Sequence, residues 1–156
     1  MMSAARLEDR VGEIVREVVF PVEAGKIAEF ARAMKDPAPI YADAESARAA
    51  GFESVPAPLT YSTASAHFAG GDASDLPLRL GLDLSRTVNG EQRWEYHRPM
   101  RAGDVLNGIT TIAEVDRKQG RAGEMLRILT KTEFRDAATE LVVTEYMLTI
   151  ELPAQK

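Results

Sequence analysis

Residues 60–71 of the chain read TYSTASAHFAGG, a nearly uncharged stretch that ends in two glycines. Most of its side chains are small, so neighbouring backbone can approach it closely. A helix that is apolar or small on all sides is typical of a buried position. The stretch therefore predicts a central buried helix over about residues 58–70.

Long alternating segments follow this helix, after a loop rich in Asp and Gly. Residues 82–100 predict a strand with a bulge or turn at Asn89-Gly90. Three further strands are predicted over 105–118, 123–136 and 140–152, with hairpin-sized breaks between them. No crossover helices separate these strands, which argues against parallel βαβ units. The simplest architecture is α+β, a curved antiparallel sheet wrapped around the central helix, which is the layout of a hot-dog fold.

The N-terminal third of the chain predicts one strand and two helices. Residues 14–22 are rich in β-branched side chains and predict the strand. Residues 24–36 follow a helical period, and Pro37 disfavours its continuation. One face of that helix carries the apolar side chains Ile27, Phe30, Ala31 and Met34. Asp43 is the predicted N-cap of a second, short helix that Gly51 closes.

The length and composition narrow the domain organisation and the class of partner. A chain of 156 residues predicts a single domain, 1–156, with its core over about 14–152. Acidic residues number 24 and basic residues 19, so the net charge is −5. An acidic chain without a basic stripe argues against a nucleic-acid partner. No apolar run is long enough for a membrane span and no signal peptide is evident, so a soluble, cytoplasmic protein is expected.

The chain has no cysteine and only two histidines. Disulfides, thiolate zinc sites and thiol nucleophiles are therefore excluded. A metal site would have to depend on carboxylates, and no suitable spacing of them is present. We expect neither a metal nor a cofactor.

The segment DPAPIY (36–41) is the first candidate for chemistry. Its two prolines make a stiff loop that holds Asp36 and Tyr41 about one turn apart, and stiffness is what a positioned carboxylate needs. The alternative is that Asp36 only ends its helix and Tyr41 packs against the sheet. The residues alone leave both interpretations open.

The segment VPAPLT (55–60), before the central helix, is the second candidate. Pro56 and Pro58 lack backbone N–H groups, which leaves Leu59 and Thr60 as donors. Free amides at the start of a helix can polarise a carbonyl oxygen. Alternatively, the prolines only fix how the chain enters the helix.

The two histidines have different settings in the sequence. His97 precedes Pro99 near the end of a predicted strand, where a lone histidine is usually a structural hydrogen-bonding residue. His67 lies within the apolar helix, where each ring nitrogen needs a partner. Either a neighbouring loop satisfies His67, or the side chain faces a cavity.

The order of helix, DPAPIY, ADAESARAAGF, ESVPAPLT and buried helix is similar to that of the MaoC-like hydratase/dehydratase family, in its N-terminal-domain branch. Residues 90–106, GEQRWEYHRPMRAGDVL, also resemble a stretch of that branch. The resemblance runs from Glu17 to the last strand. It implies hot-dog subunits that pair edge to edge. It also implies hydration of trans-2-enoyl thioesters or dehydration of (3R)-3-hydroxyacyl thioesters, carried on coenzyme A or acyl carrier protein.

Active members of that family carry Asp-x-Asn-Pro-(Ile/Leu)-His, in which Asp and His hold the water and exchange its protons. Asp36 matches the Asp, but Ala38 stands at the Asn position and Tyr41 at the His position. The family's His-Gly-Met at the start of the buried helix falls on Pro58, Leu59 and Thr60. The resemblance thus implies Asp36 and Tyr41 as a degenerate catalytic pair. The candidate substrate-binding residues are Pro58, Leu59, Thr60 and His67.

The change from His to Tyr at position 41 bears on catalysis. A phenol, with a pKa of about 10, is a far poorer base at neutral pH than an imidazole with a pKa of about 6.5. Loss of a positioned acid or base costs roughly 10²–10⁴-fold in rate. We therefore expect the chain alone to be a weak catalyst or inactive.

Three functions follow as predictions. The first is an accessory subunit that pairs with a catalytic MaoC-type chain in a hydratase/dehydratase heterodimer. The second is a homodimeric hydratase that uses Asp36 with Tyr41, His67 or His97. The third is a non-enzymatic module that binds acyl-CoA or acyl-ACP. A hot-dog thioesterase normally needs a carboxylate on the buried helix, and the stretch 60–71 has none.

Overall fold

A computed structural model describes residues 6–70 and 75–154, in which five strands form an antiparallel sheet. The strands are β1 (Ile14–Pro21), β2 (Thr87–Tyr96), β3 (Val105–Gly120), β4 (Gly123–Arg135) and β5 (Leu141–Glu151). Their order across the sheet is β1-β3-β4-β5-β2, so β1 and β2 are the edge strands. The predicted α+β hot-dog fold is confirmed, while the predicted domain ends, residues 1 and 156, lie outside the described residues.

Short helical segments connect and flank the strands of this sheet. The α-helices are α1 (Ala24–Ala33), α2 (Ala44–Ala49) and α3 (Asp75–Arg79). The 3₁₀ segments are Leu7–Arg10, Pro39–Tyr41, Tyr61–Phe68 and Leu84–Arg86. None of the helices in the described part of the chain is long and apolar enough to cross a bilayer.

Local signals in the sequence set the helix ends. The Asp43 side chain accepts a hydrogen bond from the Ser46 amide at 2.6 Å, so the predicted N-cap of α2 is confirmed. Gly51 follows α2 with φ of +91°, a left-handed conformation that glycine adopts without strain. The helical period predicts that Met34 lies on the buried face of α1. In the structure Met34 follows the last residue of α1 and is exposed.

The segment Tyr61–Phe68, hereafter the central helix, is shorter than the predicted 58–70 and is a 3₁₀ helix. In a 3₁₀ helix the side chains at i and i+3 eclipse one another, so they form straight rows. Ser62 and Ser65 form a buried row. The row of Tyr61, Ala64 and His67 runs from a buried ring to an exposed imidazole. The central helix is therefore buried on one side and open on another.

Aromatic rings fill the core between the central helix and the sheet. The Phe20 ring on β1 lies 5.4 Å from the Tyr61 ring and 6.1 Å from the Phe134 ring, measured between centroids. All three side chains are buried. Such pairs add stabilisation beyond the apolar area that they bury. This cluster holds the start of the central helix against β1.

A second, smaller core forms where a loop was predicted. Leu76 and Leu80, in and just after α3, are buried against Ile112 and Ile128 of the sheet. Helix α3 has only five residues, too few for a helical period to be visible in the sequence. Part of that predicted loop, residues 71–74, lies outside the described residues.

Candidate active site

A cavity of about 490 Å³ opens where three segments of the chain meet. This volume is within the range of roughly 300–1,000 Å³ that is usual for small-molecule sites. The segments are Pro39–Tyr41, the stretch 52–59 before the central helix, and the loop that follows β2. The lining is mostly apolar: Ile40, Tyr41, Phe52, Pro56, Ala57, Leu59, Tyr96, His97, Arg98, Pro99 and Met100.

Backbone pairing over a long sequence separation holds two of these segments together. The Ala57 amide donates to the Met100 carbonyl at 2.8 Å, and the Ala102 amide donates to the Val55 carbonyl at 2.8 Å. The stretch before the central helix therefore lies alongside the loop after β2. This contact places residues of the two segments on one cavity.

Tyr41 lines this cavity. Asp36 is outside the lining and lies near Tyr41. The Asp36 side chain is exposed and accepts a hydrogen bond from the Ala38 amide at 3.0 Å. Partial burial raises the pKa of Tyr41, and the negative charge of Asp36 raises it further. At neutral pH the Tyr41 side chain is thus a protonated phenol that can donate a hydrogen bond. It is a poor base.

The residues just before the central helix have backbone groups that could bind a ligand or a side chain. The amides of Leu59 and Thr60 donate to no protein acceptor among the described residues. The Leu59 carbonyl accepts a hydrogen bond from the Tyr96 hydroxyl. Burial, with a smaller effect of Glu145, raises the pKa of Tyr96 to about 12, so this hydroxyl remains a donor. Pro58 is buried and lies outside the cavity lining.

His97 lies on the same cavity as Tyr41. Its amide donates to the Val142 carbonyl at 3.0 Å, and its side chain is exposed. The neighbouring Arg98 binds Asp104 at 2.7 Å and Asp136 at 3.1 Å, which anchors the loop. The sequence offered His97 only as an alternative partner of Asp36 in a homodimeric hydratase, and the structure places it on the cavity that Tyr41 lines.

His67 lies in a different place. It lines a groove of about 420 Å³ between α1 and the central helix, with Phe30, Tyr61 and Phe68. The His67 side chain is exposed on this groove, and residues 71–74 of the neighbouring loop lie outside the described residues. The structure brings Tyr41 and Leu59 together, with Asp36 adjacent, and it places His67 apart from them. Among residues 6–70 and 75–154, no group of three or more His, Asp or Glu side chains is arranged to hold a metal.

Comparison with known proteins identifies the family of the chain. A family model described as "FAS1-like, dehydratase domain region" matches residues 9–145. The chain belongs to this dehydratase family. This dehydratase-family chain has a curated relative in Streptomyces avermitilis, a UPF0336 protein. The two are 43% identical over 126 residues, and the matched region covers 80% of this chain and 81% of the relative.

Solved structures confirm that the dehydratase-family chain is MaoC-like. A protein described as a MaoC-like dehydratase matches with a TM-score of 0.77 and 28% identity, over 96% of this chain and 44% of that chain. A chain of the HadBC (3R)-hydroxyacyl-ACP dehydratase complex of Mycobacterium tuberculosis matches with a TM-score of 0.72 and 28% identity. That match covers 90% of this chain and 97% of the other.

Proposed function

We propose that this chain is the accessory subunit of a heterodimeric acyl-thioester hydratase/dehydratase. The catalytic MaoC-type subunit supplies the Asp and His that add water to a trans-2-enoyl thioester or remove it from a (3R)-3-hydroxyacyl thioester. The observation that carries this proposal is the protonated Tyr41 phenol in the cavity beside Asp36. A phenol there can orient a ligand but cannot take a proton from water at neutral pH.

The remaining cavity groups suit binding rather than proton transfer. Leu59 lines the cavity, and its amide, which donates to no acceptor among the described residues, is a donor for an acyl carbonyl oxygen. The Thr60 amide is the next one along the chain and lies outside the lining. The apolar side chains around them suit the first carbons of an acyl chain. Asp36 and Tyr41 then shape the cavity, and His67 contributes to the acyl path at the groove along α1.

Two observations support a hot-dog partner. Strand β2 has β5 on one side and no strand of the described chain on the other, so its outer backbone groups are available for pairing. The HadBC chain that this structure resembles was solved as part of a complex. The partner that we propose is a homologous subunit that joins its sheet to this edge.

The test is hydration of a trans-2-enoyl-CoA by the purified chain, alone and with a co-expressed MaoC-type partner. We expect turnover only in the mixture, with Tyr41→Phe in this chain changing kcat by less than about tenfold, which is below the cost of losing an acid or base. Rapid turnover by the chain alone, abolished by Asp36→Ala, would show that the proposal is wrong.

One observation favours a second candidate, a homodimeric hydratase. Tyr41 and His97 line the same cavity, so an imidazole is present near the position that the family's catalytic His occupies. In that case the chain alone hydrates the enoyl thioester, and His97→Gln lowers kcat by roughly 10²-fold or more. Arg117→Gln, at an exposed side chain of β3 that pairs with Glu8 and Glu124, serves as the control that leaves kcat unchanged.

A further inference from the structure

The groove between α1 and the central helix contains a buried hydroxyl without a partner. The Tyr61 side chain is 1% exposed, and its hydroxyl oxygen has no hydrogen-bond partner among the described residues. Leaving a buried polar group unsatisfied is costly, so most such groups in native proteins have a protein or water partner. Among the described residues, the Tyr61 hydroxyl therefore lacks the hydrogen-bond partner that a buried hydroxyl normally has.

The surroundings of Tyr61 indicate where that partner comes from. The Phe20 and Phe30 rings lie 5.4 and 5.3 Å from the Tyr61 ring and fix its orientation. The carboxylates of Glu23 and Glu29 act on the Tyr61 hydroxyl strongly enough to raise its pKa, after the larger effect of burial. Tyr61 and Glu29 both line the groove, so a ligand there lies against the Tyr61 side chain.

The chemistry of the groove restricts its ligand. Its walls are apolar, formed by Phe30 and Ala33 on one side and by Ala64 and Phe68 on the other. The charges at its rim are already paired, because Lys26 binds Glu29 at 2.9 Å. The groove therefore suits an uncharged apolar chain, and the raised pKa keeps the phenol protonated as a donor for one oxygen on that chain.

The residues that line the groove in the described part of the chain come from α1 and the central helix. The row of Ser62 and Ser65 on the central helix faces the sheet, whereas the row that contains Tyr61 and Ala64 faces α1. Tyr61 packs against Phe20 of β1. Strand β1 is at the opposite edge of the sheet from β2, where we propose that the partner binds. A ligand in the groove can thus be studied with or without a second subunit.

We propose that this groove binds the distal part of an acyl chain that carries a hydroxyl or keto oxygen, and that the Tyr61 hydroxyl donates a hydrogen bond to that oxygen. The proposal rests on the proposed function for the ligand, an acyl thioester. It adds a specificity that the mainly apolar cavity at Tyr41 does not provide. Tyr61 is a specificity-determining residue and takes no part in the reaction.

The test compares acyl-CoA thioesters of increasing chain length, each with and without a terminal hydroxyl. Binding is measured by isothermal titration calorimetry to the purified chain and to the co-expressed pair. At the length that reaches Tyr61, we expect the hydroxylated thioester to bind about 2- to 12-fold more tightly, the worth of one hydrogen bond. Tyr61→Phe should remove this preference and keep the affinity for the plain thioester.

Two further variants complete the experiment. Tyr146→Phe removes a hydroxyl from the outer face of the sheet and should leave the preference intact. Ala64→Phe fills the groove. It should weaken the binding of long-chain thioesters both with and without the terminal hydroxyl. Equal affinities at every length, or a preference that survives Tyr61→Phe, would overturn the proposal. Enoyl hydration in the mixture tests the proposed function separately, because it does not depend on the hydroxyl preference.

Discussion

The Ser62 hydroxyl donates a hydrogen bond to the Glu145 carboxylate at 2.7 Å, which joins the central helix to β5 inside the core. The same hydroxyl accepts a hydrogen bond from Trp94 Nε1 at 2.9 Å, and Gln92 donates to the other Glu145 oxygen at 2.7 Å. Edge strand β2, which carries Trp94 and Gln92, is thus connected to the central helix. This network fixes the helix whose start lines the Tyr41 cavity.

Replacement of Ser62 by alanine should destabilise the fold. The change leaves Trp94 Nε1 without its acceptor and Glu145 with one donor fewer, so we expect a loss of about 1–3 kcal/mol in the free energy of unfolding. Urea denaturation measures it. Ser85→Ala removes an exposed hydroxyl that donates to Asp83 at 2.7 Å, and it should cost less. Equal losses for the two variants would contradict a structural role for the buried network.

Arg98→Ala should destabilise the loop that carries His97. Arg98 binds Asp104 and Asp136, and the Asp104 side chain is only 9% exposed. Removing one partner of a partly buried pair leaves a carboxylate without its main countercharge, so we expect a loss of about 2 kcal/mol.

The matched control for Arg98→Ala is Arg93→Ala. Arg93 pairs with Glu95 at 2.6 Å on the outer face, where both side chains are about half exposed. Exposed ion pairs contribute roughly 0–1 kcal/mol. Thermal denaturation should therefore show a larger decrease in Tm for Arg98→Ala, and a similar decrease for both would argue against the anchoring role.

Alkaline pH should destabilise the protein through Tyr96. Its pKa is raised to about 12 in the folded state, above the value of about 10 for an unfolded tyrosine. The folded state therefore holds the proton more tightly. Its contribution to stability is fully present below about pH 10 and is lost as the pH rises toward 12. Unfolding free energies measured over this range should fall, and Tyr96→Phe should reduce the fall, whereas Tyr146→Phe keeps it.

Tyr41→His tests whether the residue at position 41 limits catalysis by this chain. The substitution places an imidazole with a pKa of about 6.5 next to Asp36. If the missing base is the main defect, hydration of a trans-2-enoyl-CoA by the chain alone should rise by roughly 10²-fold or more. Asp36→Ala in the Tyr41→His background should remove the gain. No gain at all would show that the other differences, such as Ala38 and Leu59, also prevent catalysis.

The features predicted well are those that neighbouring residues determine. The N-cap at Asp43, the glycine that closes α2 and the register shift at Asn89-Gly90 were all visible in short stretches, and all are confirmed. Asp36 and Tyr41 were identified by a motif of six residues, and their proximity follows from two nearby prolines. Their roles in binding or catalysis stay a prediction.

The sequence by itself determined the five strands, the first two α-helices, the antiparallel sheet and the tyrosine at position 41, because alternation, turns and motifs are local. Only the tertiary structure decided that Tyr41 and His97 share a cavity, since Ala57 pairs with Met100 across a long separation in sequence. It also decided that the central helix is 3₁₀, which directs Tyr61 and His67 to a second groove. The physical reason is that the number of residues per helical turn decides which side chains lie in one row. Packing against the sheet and α1 determines that number.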